Sequence, residues 1–234
     1  KPVPLGTGVG VPRTLDAATA ASGAMTRRLA AGIYGSASLA RAFETLAAAA
    51  PSDISVVLSG ETGTGKEVFA RALHRLSGRP GQLIADNCAA LPPHLVEGEL
   101  FGYRKGSFTG ADRTHSGYLR AAERGTLFLD EITDLDRAIQ AKLLRALEER
   151  SVISLGETRA TAVDLRVVAA TQCSLHEAVE RGLFRADLMA RLNGLEVQLP
   201  PLRQRREDVL ELFRATLREQ AGERMPGLSA DLAE

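Results

Sequence analysis

A glycine-rich stretch ends in a lysine directly after the apolar run 56–59. The glycines permit backbone angles that a Cβ would block, and N–H groups at the start of a helix can hold phosphate oxygens. The lysine adds a positive charge for the β and γ phosphates. This pattern predicts a nucleotide-binding P-loop, formed by Gly60, Glu61, Thr62, Gly63, Thr64, Gly65, Lys66 and Glu67.

Glu67 departs from the general P-loop pattern, which has a Ser or Thr hydroxyl for Mg²⁺ at this position. Ligation of the ion must therefore depend more on a carboxylate elsewhere. A chance glycine loop is the alternative interpretation. The order of strand, loop and helix argues against it, since apolar residues recur at helical spacing after the lysine, namely Val68, Phe69, Ala72, Leu73 and Leu76.

Two carboxylates, Asp130 and Glu131, end a second apolar run that starts at residue 125. An acidic pair after a buried strand is the Walker B pattern of P-loop enzymes. Such a pair can instead cap the next helix. Because the P-loop follows another predicted strand, the nucleotide interpretation is favoured, and both groups are expected at the same edge of one sheet.

Two more short apolar runs end in polar residues. Asn87 follows the run 83–86, and Thr171 and Gln172 follow the run 165–170. Ligand residues of α/β proteins lie at the carboxyl ends of parallel strands. These positions are therefore further candidates for the same site.

The remaining pattern predicts the elements that position these residues. Short apolar strands alternate with helices, which indicates an α/β fold with a parallel sheet sandwiched by helices. A hairpin is predicted across 151–163, and Ser174 and Glu177 have the spacing of a capping box. The predicted helices cover 39–47, 66–76, 93–100, 137–150 and 206–218.

Composition excludes several function classes. Lys plus Arg and Asp plus Glu both total 29, so direct DNA binding by this segment is disfavoured. Cys88 and Cys173 lack the spacing of a zinc site or a disulfide framework. No apolar run is long enough for a membrane span or a signal peptide, so we expect a cytoplasmic protein without membrane contact.

Six sequence blocks occur in the order of a known family. They resemble the central domain of NtrC-like bacterial enhancer-binding proteins, which are AAA+ ATPases that activate RNA polymerase carrying sigma-54. The resemblance covers 33 to about 221 and includes Glu67, since the family usually has glutamate after the lysine. The blocks are GETGTGKE, ELFGYRKGSFTGA, GTLFLDEI, QAKLLRALEE, FRADL and LPPLRQRREDV.

The resemblance implies a P-loop NTPase of the AAA+ type, with ATP and Mg²⁺ as ligands. By this likeness Asp130 would hold Mg²⁺ through water, and Glu131 would orient and polarise the attacking water. Asn87 would restrain Glu131. Gln172 stands at the sensor position, where the family usually has asparagine, so hydrolysis is expected to be slower or differently coupled.

Arg185 and Arg191 match the paired arginine fingers of the family. The fingers reach the γ-phosphate held by the neighbouring subunit of a ring, a hexamer or heptamer by the same resemblance. Without the resemblance, these arginines would be assigned to an ordinary solvated helix face.

The segment Gly106, Ser107, Phe108, Thr109, Gly110 and Ala111 matches the GAFTGA loop with which the family grips sigma-54. Ser107 replaces the usual alanine. The resemblance thus names the sigma-54 factor of RNA polymerase as the partner, through a loop insertion near 101–111.

The expected organisation has three parts. Residues 1–32 form a linker or the remnant of an upstream region, with a possible short helix near 15–29. Residues 33–204 form the α/β core, and 205–234 form the beginning of a helical lid. The rest of the lid and a helix-turn-helix are absent from this sequence, so enhancer DNA would be bound only through a domain outside it.

Three functions compete. The first is a ring-forming ATPase that remodels the sigma-54 closed promoter complex. The second is a nucleotide-gated regulatory module with weak or no hydrolysis, suggested by Gln172 and the short lid. The third, an AAA+ machine for another substrate, is disfavoured by the FTGA loop.

Overall fold

The computed structural model describes residues 27–30, 33–108 and 110–221. Most of the predicted upstream segment, Thr109 and the end of the predicted lid lie outside the described residues. A strand β1 (Arg27–Ala30) pairs antiparallel with β2 (Ile33–Gly35). The helix predicted near 15–29 is therefore wrong for its last three residues, and the rest of that prediction falls outside the described residues.

The core of the described chain is a five-stranded parallel sheet with the strand order β4-β5-β8-β3-β9. Three of its strands, β3, β5 and β8, are buried along almost their whole length, which explains their continuous apolar sequence. The fifth strand, β9, pairs with β3 and is not predicted from the sequence. The sheet consists of β3 (Val56–Ser59), β4 (Leu83–Asn87), β5 (Thr126–Asp130), β8 (Arg166–Thr171) and β9 (Leu195–Gln198).

Helices cover both faces of this sheet, which confirms the predicted α/β sandwich. Successive residues of a strand point to opposite faces, so Val167 and Ala169 join one apolar core while Val168 and Ala170 join the other. The described helices are α1 (Ala37–Ala49), α2 (Lys66–Ser77), α3 (Pro93–Phe101), α4 (Tyr118–Ala121), α5 (Arg137–Glu149), α6 (Leu175–Glu180), α7 (Ala186–Leu192) and α8 (Val209–Ala221).

Several predicted boundaries hold and others shift. The hairpin is present as β6 (Ser151–Val152) and β7 (Thr161–Ala162). Ser174 caps α6 by accepting the N–H of His176, not that of Glu177. The helix predicted over 206–218 is two elements, because a 3-10 turn at Arg206–Asp208 precedes α8.

Arg166 connects the first helix to the sheet through hydrogen bonds. Its side chain is 1% exposed at the start of β8, and its guanidinium donates to the carbonyl oxygens of Ala49, Ala50 and Ile54 at 3.0 to 3.1 Å. The last carbonyls of a helix have no partner within the helix, and a cation there also meets the negative end of the helix dipole. The buried side chain of Arg166 thus caps the C-terminus of α1 and binds the segment that leads into β3.

Replacing Arg166 by methionine is predicted to lower the free energy of unfolding by about 3 kcal/mol, because three carbonyl oxygens lose their donor in a poorly solvated place. Urea unfolding followed by circular dichroism measures the effect. The matched control is Arg145→Met. Arg145 has a side chain that is 70% exposed and pairs with Glu149 one turn away, so a loss below about 0.5 kcal/mol is expected. Equal losses in the two variants would contradict this account of Arg166.

Candidate active site

Lys66 is the first residue of α2, and its side chain lies under the glycine-rich loop. Only 5% of the residue is exposed. Its ammonium group donates to the carbonyl oxygen of Gly60 at 2.9 Å and to that of Glu61 at 3.4 Å. The loop thus wraps around one buried cation at a helix N-terminus, which is the arrangement that binds phosphate.

The glycines of the loop are required for two different reasons. A Cβ on Gly60 would lie 2.8 Å from the carbonyl oxygen of Leu199, so another strand end approaches too closely for a side chain. Gly63 and Gly65 instead have φ angles of 79° and 99°, which other residues rarely adopt. Between them, the buried Thr64 hydroxyl donates to the Glu61 carbonyl oxygen at 2.8 Å and tightens the loop.

Glu67 does not face the loop. Its carboxylate pairs with Arg71 one turn further along α2, at 2.6 Å on the exposed side of the helix. Neither Glu67 nor the Thr64 hydroxyl, which is already bonded to a carbonyl, replaces the usual Ser or Thr ligand of Mg²⁺. Asp130 is the remaining predicted ligand.

The parallel register brings the predicted polar residues to one edge of the sheet. Thr171 is opposite Ser59 at the start of the P-loop, and Asp130 is opposite Asn87. Since β8 lies between β3 and β5, the Walker B pair and the sensor position are on neighbouring strand ends. The structure thus assembles the groups that the sequence placed after separate strands.

Glu131 has a left-handed backbone, with φ of 51°. Such a conformation is uncommon for a residue with a side chain and often occurs at functional sites. The Asp130 carboxylate accepts the N–H of Glu131 at 3.0 Å and supports this turn.

The carboxylate of Glu131 has a different partner from the one expected. Gln172 donates its side-chain amide to the Glu131 oxygen Oε1 at 2.5 Å. Asn87 accepts the N–H of Ala89 at 2.9 Å with its own side-chain oxygen. Within the described residues no hydrogen bond joins Asn87 to Glu131, so the restraint expected from Asn87 is not present in this structure.

The acidic groups fit a magnesium ion with few protein ligands. No cluster of three or more His, Cys, Asp or Glu side chains with metal-binding geometry occurs in the ranges that the structure describes. Mg²⁺ commonly retains several waters and is bound by one or two carboxylates together with phosphate oxygens. The single carboxylate of Asp130, at the same edge of the sheet as the P-loop, suits that mode of binding.

The two predicted arginine fingers lie on or next to α7. Arg185 pairs with Asp187 at 2.6 Å, and this hydrogen bond lowers the pKa of Asp187. Arg191 is exposed and donates to the carbonyl oxygen of Leu147 at 3.0 Å. Among the described residues, neither guanidinium bonds to the P-loop or to Glu131.

The loop after α3, which contains Gly106 and Gly110, is stabilised by a hydrogen bond within its own backbone. The N–H of Gly106 donates to the carbonyl oxygen of Ala111 at 2.9 Å. Phe108 stays 39% exposed and packs its ring edgewise on Tyr103, with 5.1 Å between the ring centres. Thr109 lies outside the described residues, so its predicted role stays a prediction.

Two arginines near the start of α8 contact the P-loop and were missed by sequence reasoning. Arg203 forms a bidentate pair with Glu61, both bonds being 2.6 Å. Arg205 donates to the carbonyl oxygens of Thr64 and Pro200 at 2.9 and 3.1 Å. The block LPPLRQRREDV could have indicated these contacts only through its density of charge.

Arg205 belongs to a buried network. Its side chain lies 3.6 Å from the carboxylate of Asp208, which is fully buried and accepts the N–H of Ser36 at 2.7 Å. Ser36 caps α1 through its hydroxyl. The network therefore ties the P-loop, the start of α1 and the turn before α8 into one unit.

A family model described as the sigma-54 interaction domain matches residues 33–198. The chain belongs to this family. Its fold is accordingly that of an AAA+ P-loop NTPase, as predicted. Among the described helices none has the length and apolar character that crossing a membrane requires.

Relatives and solved structures agree with this assignment. The probable regulatory protein HrpS of Pseudomonas syringae pv. syringae is 54% identical over 160 residues, which cover 68% of this chain and 53% of that protein. The putative uric acid sigma-54-dependent regulator UacR of Escherichia coli is 48% identical over 190 residues, 79% of this chain and 32% of that protein. The chain thus spans about half the length of the first relative and about a third of the second.

Crystal structures of NtrX from Brucella abortus share the fold of this sigma-54 interaction domain. The complex with ATP has a TM-score of 0.73 at 34% identity, covering 84% of this chain and 45% of that one. The complex with ADP has a TM-score of 0.75 at 34% identity, covering 84% and 44%.

The pair of Glu61 and Arg203 gives a pH-dependent test of this geometry. Hydrogen bonding to Arg203 lowers the pKa of Glu61, so Arg203→Gln is predicted to raise that pKa toward the ordinary value for glutamate. The contribution of the pair to stability is present above the unfolded-state pKa and is lost as the pH falls through the lowered folded-state pKa. Carboxyl carbon NMR titration measures the shift.

The control for this titration is Arg206→Gln, an exposed arginine three residues further along the chain. It should leave the Glu61 titration where it is in the unmodified protein. An unchanged Glu61 pKa in Arg203→Gln would mean that the bidentate pair does not persist in solution.

Proposed function

We propose that this sigma-54 interaction domain hydrolyses ATP and uses the reaction to remodel sigma-54 RNA polymerase closed complexes. The observation that carries the proposal is the buried Lys66 ammonium beneath the P-loop, at the same sheet edge as Asp130 and Glu131. Phosphoryl transfer needs mainly alignment and charge stabilisation, and these groups supply both.

Each group has a separate task in this proposal. The P-loop N–H groups and Lys66 bind the β and γ phosphates and orient them. Glu131 positions the attacking water and accepts its proton. Asp130 holds Mg²⁺, which when bound neutralises charge on the phosphate oxygens.

Assembly completes the site. Arg185 and Arg191 bond only to their own helix and to a neighbouring carbonyl within the described protomer. Both lie at the surface, where a guanidinium can reach the triphosphate of an adjacent subunit. An arginine delivered in this way stabilises transition-state charge and makes hydrolysis dependent on ring formation.

The partner would be engaged by the loop at 106–111. Phe108 is an exposed aromatic ring at the turn of this loop, and aromatic side chains are frequent anchors of protein interfaces. Backbone angles of 83° at Gly106 and 99° at Gly110 require glycine and define its two bends. The loop thus offers a compact apolar contact to sigma-54.

The second candidate function is a nucleotide-gated module with weak or no hydrolysis. The contact between Gln172 and Glu131 favours it, because the expected general base is already hydrogen bonded. The hydrolysis assay below separates the two candidates.

The ATPase rate per protomer is predicted to rise with protein concentration, because the fingers act across subunits. Phosphate release is measured over a concentration series, with the assembly state followed by light scattering. Glu131→Gln is predicted to reduce kcat by about a hundredfold or more while ATP still binds. The control is Glu148→Gln on the exposed side of α5, which should behave as the unmodified protein.

A rate per protomer that stays constant across the range in which rings form would exclude the action of Arg185 and Arg191 across subunits. ATP binding without phosphate release at any concentration would favour the nucleotide-gated module.

Phe108→Ala is predicted to abolish retention of sigma-54 while leaving ATP affinity unchanged, because the ring lies on a loop outside the P-loop. The assay is co-purification with sigma-54 when ATP is replaced by ADP with aluminium fluoride. The control Phe213→Ala removes another exposed ring, 46% accessible on α8, and should leave retention intact. Loss of nucleotide binding in Phe108→Ala would show that the loop has been assigned wrongly.

A further inference from the structure

Glu131 is held at two points. Its backbone N–H donates to the Asp130 carboxylate at 3.0 Å, and its side-chain oxygen Oε1 accepts the amide of Gln172 at 2.5 Å. The first contact stabilises the left-handed turn at the end of β5, and the second ties the carboxylate to the end of β8. The orientation of the expected general base is therefore fixed by a residue on the neighbouring strand.

The reach of Gln172 makes this contact possible. Glutamine is longer than asparagine by one methylene, or about 1.5 Å. An asparagine amide at this position would stand beyond hydrogen-bond distance of the Glu131 oxygen unless the backbone moved. Asn87 uses its side-chain oxygen for the N–H of Ala89 on the turn after β4.

We propose that Gln172 is a positioning residue that restrains Glu131, an inference that rests on the proposed hydrolysis of ATP. The amide bonds one of the two oxygens of the Glu131 carboxylate and holds the group toward the end of β8, so this bond must break before the carboxylate can turn to an attacking water. Gln172 directly follows β8, which ends next to the P-loop strand β3 with Thr171 opposite Ser59. Hydrolysis is therefore slowed for as long as this contact persists.

The contact itself can be tested without hydrolysis. In nitrogen-15-labelled protein, the side-chain amide resonances of Gln172 are assigned by their loss in Gln172→Asn. Glu131→Ala and Glu131→Asp are both predicted to move these resonances upfield, because the first removes the carboxylate and the second withdraws it by one methylene. Asn87→Ala should leave them in place. The proposal is overturned if the Gln172 resonances do not shift in either Glu131 variant, or if they shift in Asn87→Ala instead.

The restraint is tested by kinetics at a protein concentration at which rings form. Gln172→Asn keeps an amide for the phosphate but cannot reach Glu131, so kcat is predicted to rise by about tenfold, the lower range for one charge-assisted hydrogen bond. KM for ATP should stay within about twofold, because the restraint acts on the carboxylate of Glu131 and not on the bound nucleotide. The control Gln82→Asn shortens an exposed glutamine before β4 and should change neither constant.

The combined outcomes separate the possible failures. A kcat for Gln172→Asn equal to or below that of the unmodified protein overturns the restraint. A raised kcat without any response of the Gln172 resonances assigns the effect to phosphate contact and overturns it as well. If hydrolysis is lost in Glu131→Gln but is not raised in Gln172→Asn, the proposed ATPase function is supported and only the restraint by Gln172 is excluded. Absence of hydrolysis in every variant overturns both.

Discussion

The parallel register of three neighbouring strands is the constraint on which the candidate site depends. β8 lies between β3 and β5 and is buried along all six residues, so its position determines how far the P-loop stands from the Walker B pair. Each helix that connects two parallel strands returns the chain to the same end of the sheet. Polar groups that follow separate strands therefore meet at one edge of the sheet. Contacts between their side chains are not needed to bring them together.

Local patterns were sufficient for the groups that stand on these strands. The P-loop, the acidic pair and the residues after β8 each follow a short apolar run, and their order along the chain implies a parallel α/β sheet. Long-range charge contacts have no such periodic signal. Arg205 and Asp208 are separated by 141 and 172 residues from the Thr64 and Ser36 groups that they bond. The contact between Gln172 and Glu131 was not predicted from the sequence either, because it depends on how far a side chain reaches between two strand ends.

The arginines of the described residues differ in burial, and their contacts differ accordingly. Arg166 and Arg205 are almost inaccessible and donate to backbone carbonyl oxygens at the end of α1 and in the P-loop. A guanidinium suits this task since its donors are fixed in a plane and it is less strongly hydrated than an ammonium group. Arg185 and Arg191 lie near the surface, where ion pairs and hydrogen bonds contribute little to stability, and this suits the contact with a neighbouring subunit that is proposed for them. The sequence alone could not show which of these arginines are buried and which are exposed.

The chain segment that leads to the loop with Phe108 starts at this same edge of the sheet. The N–H of Cys88 donates to the carbonyl oxygen of Asp130 at 2.9 Å, so the turn after β4 is bonded directly to the residue before Glu131. From this turn α3 runs to Phe101, which is buried and whose carbonyl oxygen accepts the Ser154 hydroxyl at 2.9 Å. The nine residues of α3 connect the turn after β4 to the start of the loop that carries Phe108. The structure thus offers the proposed coupling between hydrolysis and sigma-54 a continuous route, from the bond between Cys88 and Asp130 through α3 to the base of the loop.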